Sequence, residues 1–65
     1  MKRLKELRKE REGLTQRKFA QILNVDKSTY DRYENRNAEP SYEVLVKIAD
    51  YFNVTTDYLL GRTEI

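Results

Sequence analysis

The chain has 65 residues, no cysteine, no histidine and a formal net charge of +2. That length implies one domain, 1–65, which buries only roughly 60% of its unfolded surface, so a compact helical fold is expected. The absent residue types remove disulfides, the usual zinc sites and the commonest general base. No apolar run approaches a membrane span and MKRLKELRKERE lacks a signal-peptide core, so a soluble cytoplasmic protein without metal or cofactor is expected.

The charge is unevenly spread. Residues 1–18 hold eight Lys/Arg against three Glu, whereas residues 38–65 hold two against five acids. A basic end facing an anion and an acidic end facing away would give this pattern, and so would a merely solvated helix face.

Hydrophobic spacing predicts five helices and no strand. The first covers about residues 2–11, with Leu4 and Leu7 on one face and Gly13 as a C-cap candidate. Thr15 has the chemistry to cap a second helix over about 16–23, whose apolar set is Phe19, Ala20, Ile22 and Leu23. Asp26 is the cap candidate for a third helix over about 27–35. Pro40-Ser41 marks a new start, and the fourth helix, about 42–52, carries Leu45, Ile48, Ala49 and Phe52 as a core stripe. Thr55 or Thr56 caps a short fifth helix ending at Leu60, before Gly61.

On a wheel of about 100° per residue, the third helix divides sharply. Lys27, Ser28, Asp31, Arg32 and Asn35 share one polar face, and Tyr30 and Tyr33 lie opposite. An ordinary amphipathic helix, with Lys27 and Asp31 as an i,i+4 ion pair, has the same face. The context adds more. The second helix carries Gln16, Arg17 and Lys18 in its first turn, where a helix N-terminus suits a phosphate. Only Asn24-Val25-Asp26 separates it from the third helix. Two helices so joined can straddle a DNA backbone with the first and enter the major groove with the second.

Residues 14–61 resemble the lambda-repressor-like helix-turn-helix family, also called the xenobiotic-response-element type. The matching motifs are Leu14-Thr15-Gln16, Ala20, Ser28-Thr29, Glu34-Asn35, Pro40-Ser41, Ile48-Ala49 and Leu59-Leu60. The resemblance implies an all-α, five-helix DNA-binding domain whose second and third helices form the helix-turn-helix. It also implies residue roles. Gln16 would hold a phosphate, and Lys27, Ser28 and Arg32 would read bases with Thr29 and Asp31 nearby. Asn35, Arg36 and Asn37 would touch the backbone. Asp31 would either accept from a cytosine amino group or orient Lys27 or Arg32.

Three departures from the family pattern stand out. Asn24 replaces the usual turn glycine, so a left-handed backbone is expected at Asn24. Lys18 replaces the Glu that would complete a capping box with Thr15. The turn after the first helix is one residue longer than usual. The family often pairs an Arg of the first helix with the Glu matching Glu34; Arg8 is the expected partner here, with Lys9 as the alternative.

Tyr30 and Tyr33 are expected in the core, not as base-stacking platforms. Val44, Tyr51, Tyr58 and Ile65 form either an apolar patch for a second subunit, giving a weak homodimer on an inverted repeat, or partly buried positions within one chain. The expected function is a transcriptional repressor of prophage or mobile-element type that acts by occluding its operator. An antitoxin or a restriction-system controller would use the same fold. A protein-interaction module without DNA binding is disfavoured by Lys27, Arg32 and Arg36. No nucleophile–base pair or metal set suggests an enzyme.

Overall fold

Helices α1 (Lys2–Glu10), α2 (Gln16–Leu23), α3 (Lys27–Asn35), α4 (Tyr42–Phe52) and α5 (Thr56–Leu59) make up a computed structural model that describes residues 1–36 and 38–63. Asn37 and Ile65, both named above, lie outside the described residues. Among the described residues no strand is present, and no helix is long and apolar enough to cross a membrane.

Capping chemistry sets most boundaries. Thr15 is extended, and its hydroxyl accepts the Lys18 N–H at 3.1 Å. Ser41 and Thr55 do the same for Val44 and Tyr58. Each cap satisfies one of the N–H groups that a helix start leaves without an intrahelical partner. Asp26 occupies the N-cap position of α3, but its side chain makes no cap bond; only its carbonyl takes part, accepting from Tyr30 N–H at 2.9 Å. The first helix stops one residue earlier than expected, at Glu10. Arg11 is already extended, and Gly13, with φ +78°, turns the chain two residues further on.

The turn between α2 and α3 has the left-handed residue that its brevity requires. Asn24 has φ 60° and ψ 45°. Its N–H bonds to Gln21 O at 3.1 Å, and Val25 N–H bonds to Ala20 O at 3.0 Å. This paired closure is a Schellman motif, with Val25 folded back on the core. The same motif ends α4: Asn53 has φ 57° and ψ 46°, and Val54 N–H bonds to Ala49 O at 2.9 Å.

The core is organised around the ring of Phe19. It is fully buried and meets Tyr30 edge-on at 5.5 Å between centroids, Phe52 at 5.2 Å and Tyr51 at 4.9 Å. One side chain of α2 thereby touches α3 and α4 together. Aromatic pairs of this kind contribute about 0.5–1.5 kcal/mol beyond their area burial. Leu4 of α1, Leu14, Ile48 of α4 and Leu59 of α5 complete the interior. Tyr30 and Tyr33 are buried as expected. Ile22 is not: it is 52% exposed, because it lies about 60° round the wheel from Phe19, on the far side from Ala20 and Leu23.

The tyrosines of α4 and α5 are partly covered within the chain. Tyr51 is 38% exposed and lies beneath the Arg11 guanidinium, 5.4 Å from its centroid. Tyr58 is half-buried beneath Arg3, at 4.5 Å. Arg3 also donates to the carbonyls of Tyr58 and Thr63, and Met1 donates to the Tyr33 carbonyl, so the N-terminal segment clasps α3, α5 and Thr63.

Because Asn24 already pays the strain of a left-handed backbone, Asn24→Gly should stay within about 0.5 kcal/mol of wild type or stabilise slightly. Asn24→Ala should lose about 1 kcal/mol, having no side chain suited to that region. Urea unfolding of the three proteins checks this; equal stability of the alanine and glycine variants would contradict it.

Candidate nucleic-acid interface

The exposed face of α3 is held in place from beneath by one buried carboxylate. Glu34 is 5% exposed overall, and its side chain is fully buried. Arg8 of α1 grips it with both arms of the guanidinium, Nε to Oε2 at 2.6 Å and Nη2 to Oε1 at 3.2 Å. The third Arg8 nitrogen donates to Leu14 O at 2.9 Å. Tyr30 Oη donates to Oε2 from one turn earlier in α3, and Gln16 Nε2 of α2 donates to Oε1 at 3.0 Å. The expected pair is therefore Arg8 with Glu34, and Lys9 is exposed.

Burial alone would push the Glu34 carboxyl up, but hydrogen bonds from Arg8, Tyr30 and Gln16 outweigh it and hold the group below the usual carboxylate range. The Glu34 bond raises Arg8 further above its ordinary value. Burial, together with the bond to Glu34, pushes the Tyr30 phenol strongly upward, so it stays protonated and keeps donating.

Above this anchor lies an open groove of about 420 Å³ lined by Lys27, Ser28, Asp31, Arg32 and Arg36. Three cations and a hydroxyl thus surround one carboxylate. Lys27, Ser28, Arg32 and Arg36 are exposed, while Thr29 and Asp31 are half-buried. Thr29 does not line the groove. Arg17 and Lys18 are exposed at the start of α2, also outside the groove.

Asp31 behaves differently from the expectation that it orients Lys27 or Arg32. Among the described residues neither hydrogen-bonds it. Its Oδ1 instead accepts from Gln16 Nε2 at 3.1 Å and Asn35 Nδ2 at 2.8 Å. Those two bonds, Gln16 first, hold the Asp31 carboxyl below its ordinary value, with Lys27 and Arg36 acting through space. Asn35 stands one turn on from Asp31 in α3 and Gln16 reaches it from the start of α2, while Lys27 and Arg32 are exposed.

Gln16 is therefore engaged at both amide hydrogens, by Asp31 and Glu34. Asn35 is engaged as well, because Lys5 Nζ donates to its Oδ1 at 3.2 Å. Lys5 went unrecognised in the sequence, where thirty residues separate it from Asn35. The Tyr30–Glu34 bond had a readable signal, an i,i+4 spacing on one helix. Asp31–Asn35 has the same i,i+4 spacing, whereas no sequence signal marks the link from Gln16 to Asp31. Among the described residues, no cluster of acidic, histidine or cysteine side chains could hold a metal.

A family model described as Helix-turn-helix matches residues 4–59. The chain is 41% identical to the HTH-type transcriptional regulator ImmR of Bacillus subtilis, over 98% of this chain and 50% of that protein. It is 38% identical to the cryptic phage CTXphi transcriptional repressor RstR of Vibrio cholerae, over 74% of this chain and 43% of that protein. It is 34% identical to the antitoxin PezA of Streptococcus pneumoniae, over 98% of this chain and 40% of that protein. The chain spans about half the length of the curated relatives it matches. No solved structure gives a significant match.

The anchor makes stability depend on pH in a defined direction. Glu34 is held below its unfolded value of about 4.3, so it stabilises the fold above that pH, and this contribution is lost as pH falls through the lower folded value. Glu34→Gln should lower stability at neutral pH by about 3–5 kcal/mol, since it leaves Arg8 facing an uncharged partner. Its deficit relative to wild type should shrink in acid, as measured by thermal unfolding between neutral pH and the acid limb. A constant deficit would show that the charge of Glu34 is not what matters.

Proposed function

Because this chain belongs to the lambda-repressor-like helix-turn-helix family, we propose that it is a sequence-specific regulator of transcription that binds double-stranded DNA. It acts in the cytoplasm, without catalysis, as a repressor of prophage or mobile-element type that occludes its operator.

The observation that carries this reading is the groove on α3, which offers Lys27, Arg32 and Arg36 with Ser28 on a helix braced by the Glu34 anchor. Arg and Lys match the O6 and N7 acceptors of guanine in the major groove, and Ser is permissive. In this reading Lys27, Ser28 and Arg32 read bases, with Thr29 and Asp31 beside them. Gln16, Arg17, Lys18, Asn35, Arg36 and Asn37 lie along the backbone. The names of ImmR and RstR, a regulator and a phage repressor, support the repressor role.

One α3 spans only a few base pairs, so two copies on half-sites about one helical turn apart would supply length and affinity. Val44, Tyr51 and Tyr58 are the surface proposed for this weak homodimer, together with the C-terminal region. The antitoxin reading has one observation in its favour, the similarity to PezA. It requires a second protein bound to this chain when the chain is isolated from its host.

Selection of sites from random DNA at two salt concentrations should return an inverted repeat, with affinity falling steeply as salt rises. Enrichment of no common sequence would sink the proposal. On the selected site, Arg32→Ala should relax preference at one position per half-site at a cost of about 1–3 kcal/mol; uniform weakening across sequences would instead assign Arg32 to phosphate. Sedimentation with the selected duplex should show two chains per site at saturation, and a single bound chain would refute the dimer.

A further inference from the structure

The carboxylate of Asp31 sits where a DNA-binding surface should least want one. It shares the groove with Lys27, Arg32 and Arg36 and accepts from two amides, Gln16 and Asn35, whose N–H groups have the chemistry to donate to phosphates. We propose that Asp31 is a specificity-determining residue that restrains indiscriminate DNA binding by holding the amide donors of Gln16 and Asn35 against α3. This inference rests on the DNA-binding reading above and deepens it.

The argument compares two kinds of complex. Binding to unrelated DNA draws its energy from phosphates, so every free donor and every removed negative charge strengthens it. In wild type, Asp31 opposes that binding twice. It adds a negative charge beside the backbone path, and it occupies Gln16 Nε2 and Asn35 Nδ2. Binding to a matched site gains from base edges as well, and there a fixed surface is an advantage because its side chains are already ordered.

Asp31 supplies that order. Its Oδ1 joins Gln16 at the start of α2 to Asn35 at the end of α3, and Asn35 in turn receives Lys5 from α1. Three helices therefore meet along one polar seam beside the reading face. Removing Asp31 frees the Asn35 amide and one N–H of Gln16, whose other N–H stays on Glu34, and it breaks the seam at the same time. At an unrelated duplex only the release counts. At the matched site the two effects offset one another.

The test measures the affinity of wild type, D31A and D31N for the duplex selected from random DNA and for an unrelated duplex of equal length. D31A should bind the unrelated duplex about tenfold more tightly and gain less than that at the selected site, so that discrimination falls. D31N keeps an acceptor for Gln16 and Asn35 and should retain more of the discrimination. In a Gln16→Ala background the effect of D31A on the unrelated duplex should shrink, because one of the released donors is gone. Unchanged affinity of D31A for the unrelated duplex, or an equal change at both duplexes, overturns the role of Asp31 while leaving the regulator reading intact. A purely structural residue would instead lower the unfolding midpoint and weaken both duplexes together, which also overturns it. Wild type that discriminates no duplex overturns the regulator reading and this inference with it.

Discussion

A carboxylate removed from water is tolerable only when every lone pair has a donor, and Glu34 meets that condition with side chains from three helices. Arg8 comes from α1, Gln16 from α2 and Tyr30 from α3 itself. An ion pair buried this deeply adds little net stability compared with a well-packed apolar replacement. What it adds is geometry. A bidentate guanidinium fixes direction as well as distance, so α1 cannot slide or rotate over α3 without leaving a charge unpaired. The exposed face of α3 inherits that rigidity.

The aromatic core and the carboxylate anchor divide the work of holding α3. Phe19 sets its depth through the edge contact with Tyr30, and Glu34 sets its rotation about its own axis. Tyr30 belongs to both systems: its ring packs on Phe19 and its hydroxyl donates to Glu34. One residue thus couples apolar packing to the polar bracket, and Gln16 joins that bracket to the groove through its second bond, to Asp31.

Much of this was legible in the sequence because it depends on local rules. Thr15 and Ser41 announce helix starts by their hydroxyls, Asn24 announces a left-handed turn, and the spacing of Leu45, Ile48, Ala49 and Phe52 announces a buried stripe. Where the reading failed, the cause was geometry that periodicity does not carry. Ile22 looked like core because it is apolar and helical, but α2 buries only a narrow arc, and Ile22 lies at its edge. Asp31 looked like a partner for Lys27 because they are four residues apart on one helix. A long-range amide, Gln16, and an equally spaced one, Asn35, reach it instead. Lys5 meets Asn35 only after α1 has packed on α3, so no window along the chain could have joined them.

The pairing of Asn24-Val25 with Asn53-Val54 has a consequence for how such a domain can change. Both turns close with the same two backbone bonds, both place valine against the interior, and both are followed by a residue in the N-cap position, Asp26 or Thr55. The device that sets the angle between neighbouring helices is therefore written in three residues and used twice. It makes no reference to the outward side chains of the helix that follows. Orientation and lettering are thus encoded separately, and the outward letters of α3 can be rewritten while the hinge that aims them keeps its shape.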